Sequence, residues 1–183
     1  MSYSDPLNLF HWTEREYNRT LDFLRKNKKR EKLAAMIVRG LPPLFFAVYT
    51  IQLCLMGWQV LISGFAREEV VSLIGAMAFP AGCLLVSSLL RKKFNRKRSY
   101  EQLSIRPLLD KKGGKSFPSN HTASAFVLAL TTFRLSPVLG CIMLLLAAVT
   151  GMSRIAAGLH WPEDVLCGGI LGIVFGILGL LIL

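Results

Sequence analysis

Histidine is scarce in this chain: three residues in 183, namely His11, His121 and His160. Acid is scarce as well, with 11 Asp and Glu against 22 Lys and Arg. No carboxylate cluster is present that would hold a divalent metal, so the sequence implies no metal and no cofactor. The four cysteines, Cys54, Cys83, Cys141 and Cys167, lie in apolar runs without metal-type spacing. They read as small core residues, neither disulfides nor ligands. The first forty residues are polar and charged, so no cleavable signal peptide is expected.

Apolar sequence is what the chain has in quantity. It is 52% hydrophobic with a mean hydropathy of +0.46, too apolar for an ordinary soluble domain of this length. Runs near twenty residues read as membrane spans. The expected fold is all-α: a polytopic membrane helical bundle of about five transmembrane helices behind an N-terminal amphipathic interfacial helix. Two parts are expected, an amphipathic, basic segment over 1–33 and a membrane domain over 34–183. The net charge of +11 is gathered in two segments that flank spans. Such clusters fit anionic lipid headgroups at the bilayer. They carry no RNA or DNA motif, so nucleic acid is not expected as a partner.

In chain order, residues 1–8 read equally as part of the amphipathic segment or as a mobile tail. Phe10, Trp12, Tyr17, Leu21, Phe23 and Leu24 then recur at helical spacing before Arg25-Lys26-Asn27-Lys28-Lys29-Arg30, the pattern of a helix lying at the interface. The first span falls within 34–64, with Arg39 and Pro42-Pro43 punctuating its start and a firm part from Leu41 to Phe65. The second runs from Val70 to Leu90 with a kink expected at Pro80. Residues 91–120 are the long internal polar segment. A shorter third span runs from His121 to Leu135, a fourth from Val138 to Ala157 and a fifth from Pro162 to Leu183. Gly168, Gly169, Gly172, Gly176 and Gly179 predict close helix packing along the fifth.

The chemistry concentrates where spans meet. Ser153 to Asp164 places Arg154, His160 and Asp164 in the short break between the last two spans. Titratable groups at a membrane boundary are expensive and mark function. His160 and Asp164 are four residues apart, with Pro162 at a helix start. The carboxylate can hold one imidazole nitrogen and leave the other to attack, the orienting logic of a catalytic triad. Arg154 could bind an anion beside that nitrogen. A second cluster, Pro118-Ser119-Asn120-His121, opens the third span with capping side chains.

These clusters resemble the type 2 phosphatidic acid phosphatase superfamily, whose motifs are K-x6-R-P, P-S-G-H and S-R-x5-H-x3-D. The third is intact as Ser153, Arg154, His160 and Asp164. The second has Asn120 where the family usually has Gly. The first is altered. Arg106-Pro107 is the obvious Arg-Pro, but counting back seven residues gives Ser99. Arg91 and Arg98 keep two cations at the family spacing, as R-x6-R-S, and are the favoured pair. The resemblance implies a membrane lipid phosphatase acting on a lipid phosphomonoester or diphosphate, of the undecaprenyl diphosphate, phosphatidate or phosphatidylglycerophosphate class. It implies His160 as nucleophile through a phosphohistidine, Asp164 as its orienter and His121 as general acid. Arg91, Arg98, Ser119, Asn120 and Arg154 would hold the phosphate. The alternative is an impaired member that binds lipid phosphate without turnover. Five spans put the N-terminus and the motifs on one side. The basic residues there predict a multi-pass cell-membrane protein with a cytoplasm-facing site.

Overall fold

The computed structural model describes residues 9–10, 12–109 and 113–182 and, among these, is helical without strands. The segment or tail expected over 1–8 lies outside the described residues. Helix α1 is Glu14–Arg25, α2 Lys28–Ile62, α3 Arg67–Phe94 and α4 Ser99–Gln102. Helix α5 is Asn120–Thr131, followed by a 3-10 turn at Thr132–Arg134, then α6 Pro137–Ala156 and α7 Pro162–Ile182. Four helices, α2, α3, α6 and α7, are long and apolar enough to cross a membrane. Their outer faces expose Leu55, Ile74, Leu85, Leu145, Ile170 and Leu181, as a bilayer requires.

Helix α5 takes the place of the expected, shorter third span. Its 12 residues reach about 18 Å, short of a hydrocarbon core of about 30 Å. It is instead the buried centre, packed by α2, α3, α6 and α7. The apolar run to Leu135 could not reveal this, because a core helix and a lipid-facing one have the same composition. The contact with α7 is the tightest. A Cβ on Gly168 would lie 2.5 Å from the Ser119 carbonyl oxygen, so the helix start there approaches bare backbone.

Other boundaries differ from the sequence expectation. Helix α2 starts at Lys28 and runs through Pro42 and Pro43, which sit inside it. Residues 33 and 34 both lie within that helix. A spanning helix tolerates such prolines when neighbours supply the lost contacts. Cys83 is a core residue, but Cys54 and Cys141 are exposed on outer faces. In a bilayer both faces of a helix are apolar, so an apolar run does not say which way a cysteine points.

Helix α1 is amphipathic, and Glu16 accepts from the Thr13 backbone N–H at 2.8 Å to cap it. Its apolar face meets protein. Tyr17 and Leu21 are buried against Ile105 and Trp161, where the sequence pattern predicts lipid. This packing ties the N-terminal segment to the end of the bundle that holds the motif residues.

Candidate active site

Asn95 ends α3 in the left-handed conformation with φ 43° and turns the chain across the bundle end. Three bonds then hold the polar segment in place. The Trp161 indole donates to the Lys97 carbonyl at 3.1 Å. The Ser116 N–H donates to the Arg96 carbonyl at 2.8 Å. Ser99 donates to the Gly158 carbonyl at 3.0 Å. The Ser119 N–H donates to the Asp164 carbonyl at 2.9 Å and locks the start of α5 onto the start of α7. Two motifs remote in sequence are thereby joined through backbone.

His160, Asp164, Ser116, Arg96, Glu163 and Arg154 are buried here, none more than 5% exposed. His160 Nδ1 is 3.2 Å from Ser116 Oγ and 3.5 Å from Asp164 Oδ2. Ser116 Oγ donates to Asp164 Oδ2, which also accepts from the Trp161 N–H at 3.1 Å. Asp164 Oδ1 accepts from Arg96 Nη1 at 2.8 Å. With both Asp164 oxygens acting as acceptors, the network is satisfied when Nδ1–H donates to Ser116 and Ser116 donates to Asp164. Nε2 then carries the lone pair. The expected direct His160–Asp164 bond is thus long, and a serine bridges it.

Burial pushes the His160 pKa below its ordinary value. The Asp164 hydrogen bond and charge oppose this, while Arg98 and Arg91 reinforce it. The imidazole therefore stays neutral at neutral pH, as a nucleophile requires.

The cations divide by task. Arg91 donates to the carbonyls of Pro118, at 3.2 Å, and Lys115, so it braces the loop before α5. Arg154 donates through Nη2 to the Val38 carbonyl at 2.9 Å. The Nε atoms of Arg98 and Arg154 are buried without a hydrogen-bond partner. Buried donors left unsatisfied cost about 1–3 kcal/mol each, and an anion would relieve both. Arg106 is exposed, and its carbonyl accepts from Arg25 at 2.7 Å.

Ser119 caps α5 and is fully buried, accepting from Thr122 Oγ1 at 2.9 Å. Asn120 Oδ1 accepts from Ser87 at 2.5 Å, which ties its side chain to α3. His121 is half-buried in the first turn of α5. Sequence reasoning missed Arg96, Ser116, Glu163 and Tyr17. The Tyr17 hydroxyl donates to the His160 carbonyl at 2.9 Å, and Glu163 accepts from the Phe10 N–H at 2.9 Å. The one available signal was Ser116, two residues before the Pro118 motif. Among the described residues no group of three or more His, Cys, Asp or Glu is placed to hold a metal.

The family model that matches is the PAP2 superfamily, over residues 69–183. The chain belongs to this superfamily. A lipid A 1-phosphatase of Porphyromonas gingivalis is 44% identical over 80 residues, covering 41% of this chain and 17% of the relative. The undecaprenyl-diphosphatase BcrC of Bacillus subtilis is 27% identical over 95 residues, 52% of this chain and 49% of the relative. The chain thus spans less than half the length of these curated relatives. Among solved structures, Aquifex aeolicus LpxE superposes with a TM-score of 0.50 at 28% identity, over 81% of this chain and 93% of that one. The PAP2 match begins at residue 69, so α1 and α2 precede it.

Proposed function

We propose that this PAP2 protein is a membrane lipid phosphatase that hydrolyses a lipid phosphomonoester or diphosphate through a phosphohistidine. The observation that carries the reading is the buried Asp164–Ser116–His160 chain, with Arg98 near enough to act on the imidazole and on Arg154, and both arginines holding a buried Nε without a partner. Nε2 of His160 attacks phosphorus as the bond to the leaving oxygen breaks. His121 protonates that oxygen, and Arg98 and Arg154 hold the phosphoryl oxygens through transfer. Water then attacks the phosphohistidine, releasing phosphate and restoring the neutral imidazole. Arg91 contributes positive charge and holds the loop that carries Ser119 and Asn120.

The substrate class follows from the position of the site at a bundle end, where a headgroup reaches it and the acyl or prenyl chains stay in the bilayer. The names of the relatives support lipid A and undecaprenyl diphosphate beside glycerolipid phosphates. Orientation rests on charge. Arg15, Arg19, Arg25, Lys26, Lys28, Lys29, Arg30 and Lys32 share the site's end, and so do Arg91, Arg96, Lys97, Arg98 and Lys115. Arg67 and Arg134 lie at the other end, which supports a cytoplasm-facing site. Phosphate release by purified protein, in chelator, across a panel of these lipids tests the activity. Vanadate binding without turnover of any lipid would favour an impaired, headgroup-binding member instead.

A further inference from the structure

The end of the bundle remote from His160 holds a cavity of about 510 Å³ between α2, α3 and the turn after α5. Leu55, Met56 and Trp58 supply an apolar wall, and Glu69, Ser72 and Arg134 supply polar groups. Arg134 is half-buried, donating to Ser72 Oγ at 2.6 Å and more weakly to the Gly179 carbonyl at 3.4 Å. It has five N–H donors and forms no ion pair among the described residues. Glu69 is also half-buried and lines the same cavity, yet it is not within salt-bridge range of Arg134. A cation and an anion thus face one space without neutralising each other. At a membrane boundary that arrangement is costly unless something else meets both charges.

We propose that this cavity binds the headgroup of a zwitterionic aminophospholipid from the leaflet opposite the catalytic site, with phosphate on Arg134 and ammonium on Glu69. The order of the residues along the helices fits that ligand. Glu69 lies in the first turn of α3, at the surface, and Ser72 with Arg134 sits about one turn deeper. A phospholipid has the same order, with its amine outside its phosphodiester. The apolar chains continue inward along Leu55 and Met56, and exposed Trp58 sits where an interfacial aromatic belongs. A purely anionic headgroup would leave Glu69 facing like charge. A choline headgroup keeps the charge but has no N–H to donate to the carboxylate.

The test is native mass spectrometry of the full chain in detergent, with phosphatidylethanolamine, phosphatidylcholine and phosphatidylglycerol of matched acyl chains. Phosphatidylethanolamine is expected to be retained about tenfold over the other two, the effect of one charged hydrogen bond. Glu69→Gln should bring it down to the level of phosphatidylcholine, and Arg134→Gln should weaken retention of all three. Should Arg134→Gln fail to fold, Glu69→Gln decides alone. Asp164→Asn, at the catalytic end, should leave the preference intact, which separates this site from the phosphatase reading. Equal retention of the three lipids, a preference that survives Glu69→Gln, or one lost in Asp164→Asn would each overturn the proposal.

Discussion

The two ends of the bundle handle charge differently. At the catalytic end Arg96 and Asp164 are paired at 2.8 Å within a buried network that includes Glu163, Ser116 and His160. At the far end Arg134 and Glu69 are half-buried and unpaired with each other. Burying an ion pair costs several kcal/mol per ion in desolvation, which its geometry must return. A network of that kind fixes atoms in place, whereas a half-buried charge can still exchange one partner for another. The catalytic end is therefore preorganised, and the far end is receptive.

The hardest blow to this contrast falls on His160. His160→Ala is expected to remove turnover and phosphoenzyme altogether, measured by phosphate release and acid-labile labelling in chelator. Asp164→Asn keeps the shape but leaves Arg96 facing a neutral amide and disturbs the tautomer, for a loss of about 10⁴ in kcat. Activity above a few per cent in His160→Ala would end the phosphohistidine mechanism.

Next in size is Arg98. Its unpartnered buried Nε predicts that Arg98→Ala lowers kcat/KM by about 10²–10³, the usual effect of one donor to a developing anion. Thermal stability should change little, because among the described residues that Nε gives no hydrogen bond to lose. The opposite pattern, a stability loss with activity retained, would make Arg98 a structural residue of the turn.

How much of this was legible depends on what sequence can encode locally. The breaks between apolar runs marked helix ends, and the four-residue spacing of His160 and Asp164 brings the two together in three dimensions with Ser116 between them. The inward turn of Arg96 was not legible. It lies among Arg91, Lys92, Lys93, Lys97 and Arg98, and its direction is set by the left-handed Asn95 together with the hold of Trp161 on Lys97. Nor could the pattern of α1 say whether its apolar stripe meets lipid or protein. Tyr17 and Leu21 satisfy either reading until Ile105 and Trp161 are brought beneath them.

A smaller effect is expected at Tyr17, which touches His160 only through its carbonyl. Tyr17→Phe removes one buried hydrogen bond, about 1 kcal/mol of stability, with kcat down by about threefold to tenfold and KM unchanged. The pH profile distinguishes positioning from bulk destabilisation. In the parent chain the acidic limb of kcat/KM should lie below 6.5, since burial lowers the His160 pKa from that value. Because the unfolded imidazole binds its proton more readily than the folded one, this group's contribution to stability falls as pH drops below 6.5. Loosening the Tyr17 contact should admit water and move the limb upward toward 6.5. An unmoved limb with reduced stability would make Tyr17 a packing residue alone.

The smallest effect belongs to Arg106, the cation of the Arg106-Pro107 pair. Its side chain is exposed, and the bond that secures the loop runs from Arg25 to the carbonyls of Arg106 and Pro107, at 2.7 and 3.1 Å. Truncation to alanine leaves both carbonyls in place. Stability should therefore stay within about 0.5 kcal/mol of the parent. Turnover should stay within about twofold, because the Arg106 side chain is exposed and the proposed phosphate donors are Arg98 and Arg154. Arg25→Ala is the informative partner, since it deletes the donor that Arg106→Ala spares, and it should lower stability by about 1 kcal/mol. A loss of turnover in Arg106→Ala above a hundredfold, with folding intact and Arg98→Ala active, would transfer the phosphate contact from Arg98 to Arg106.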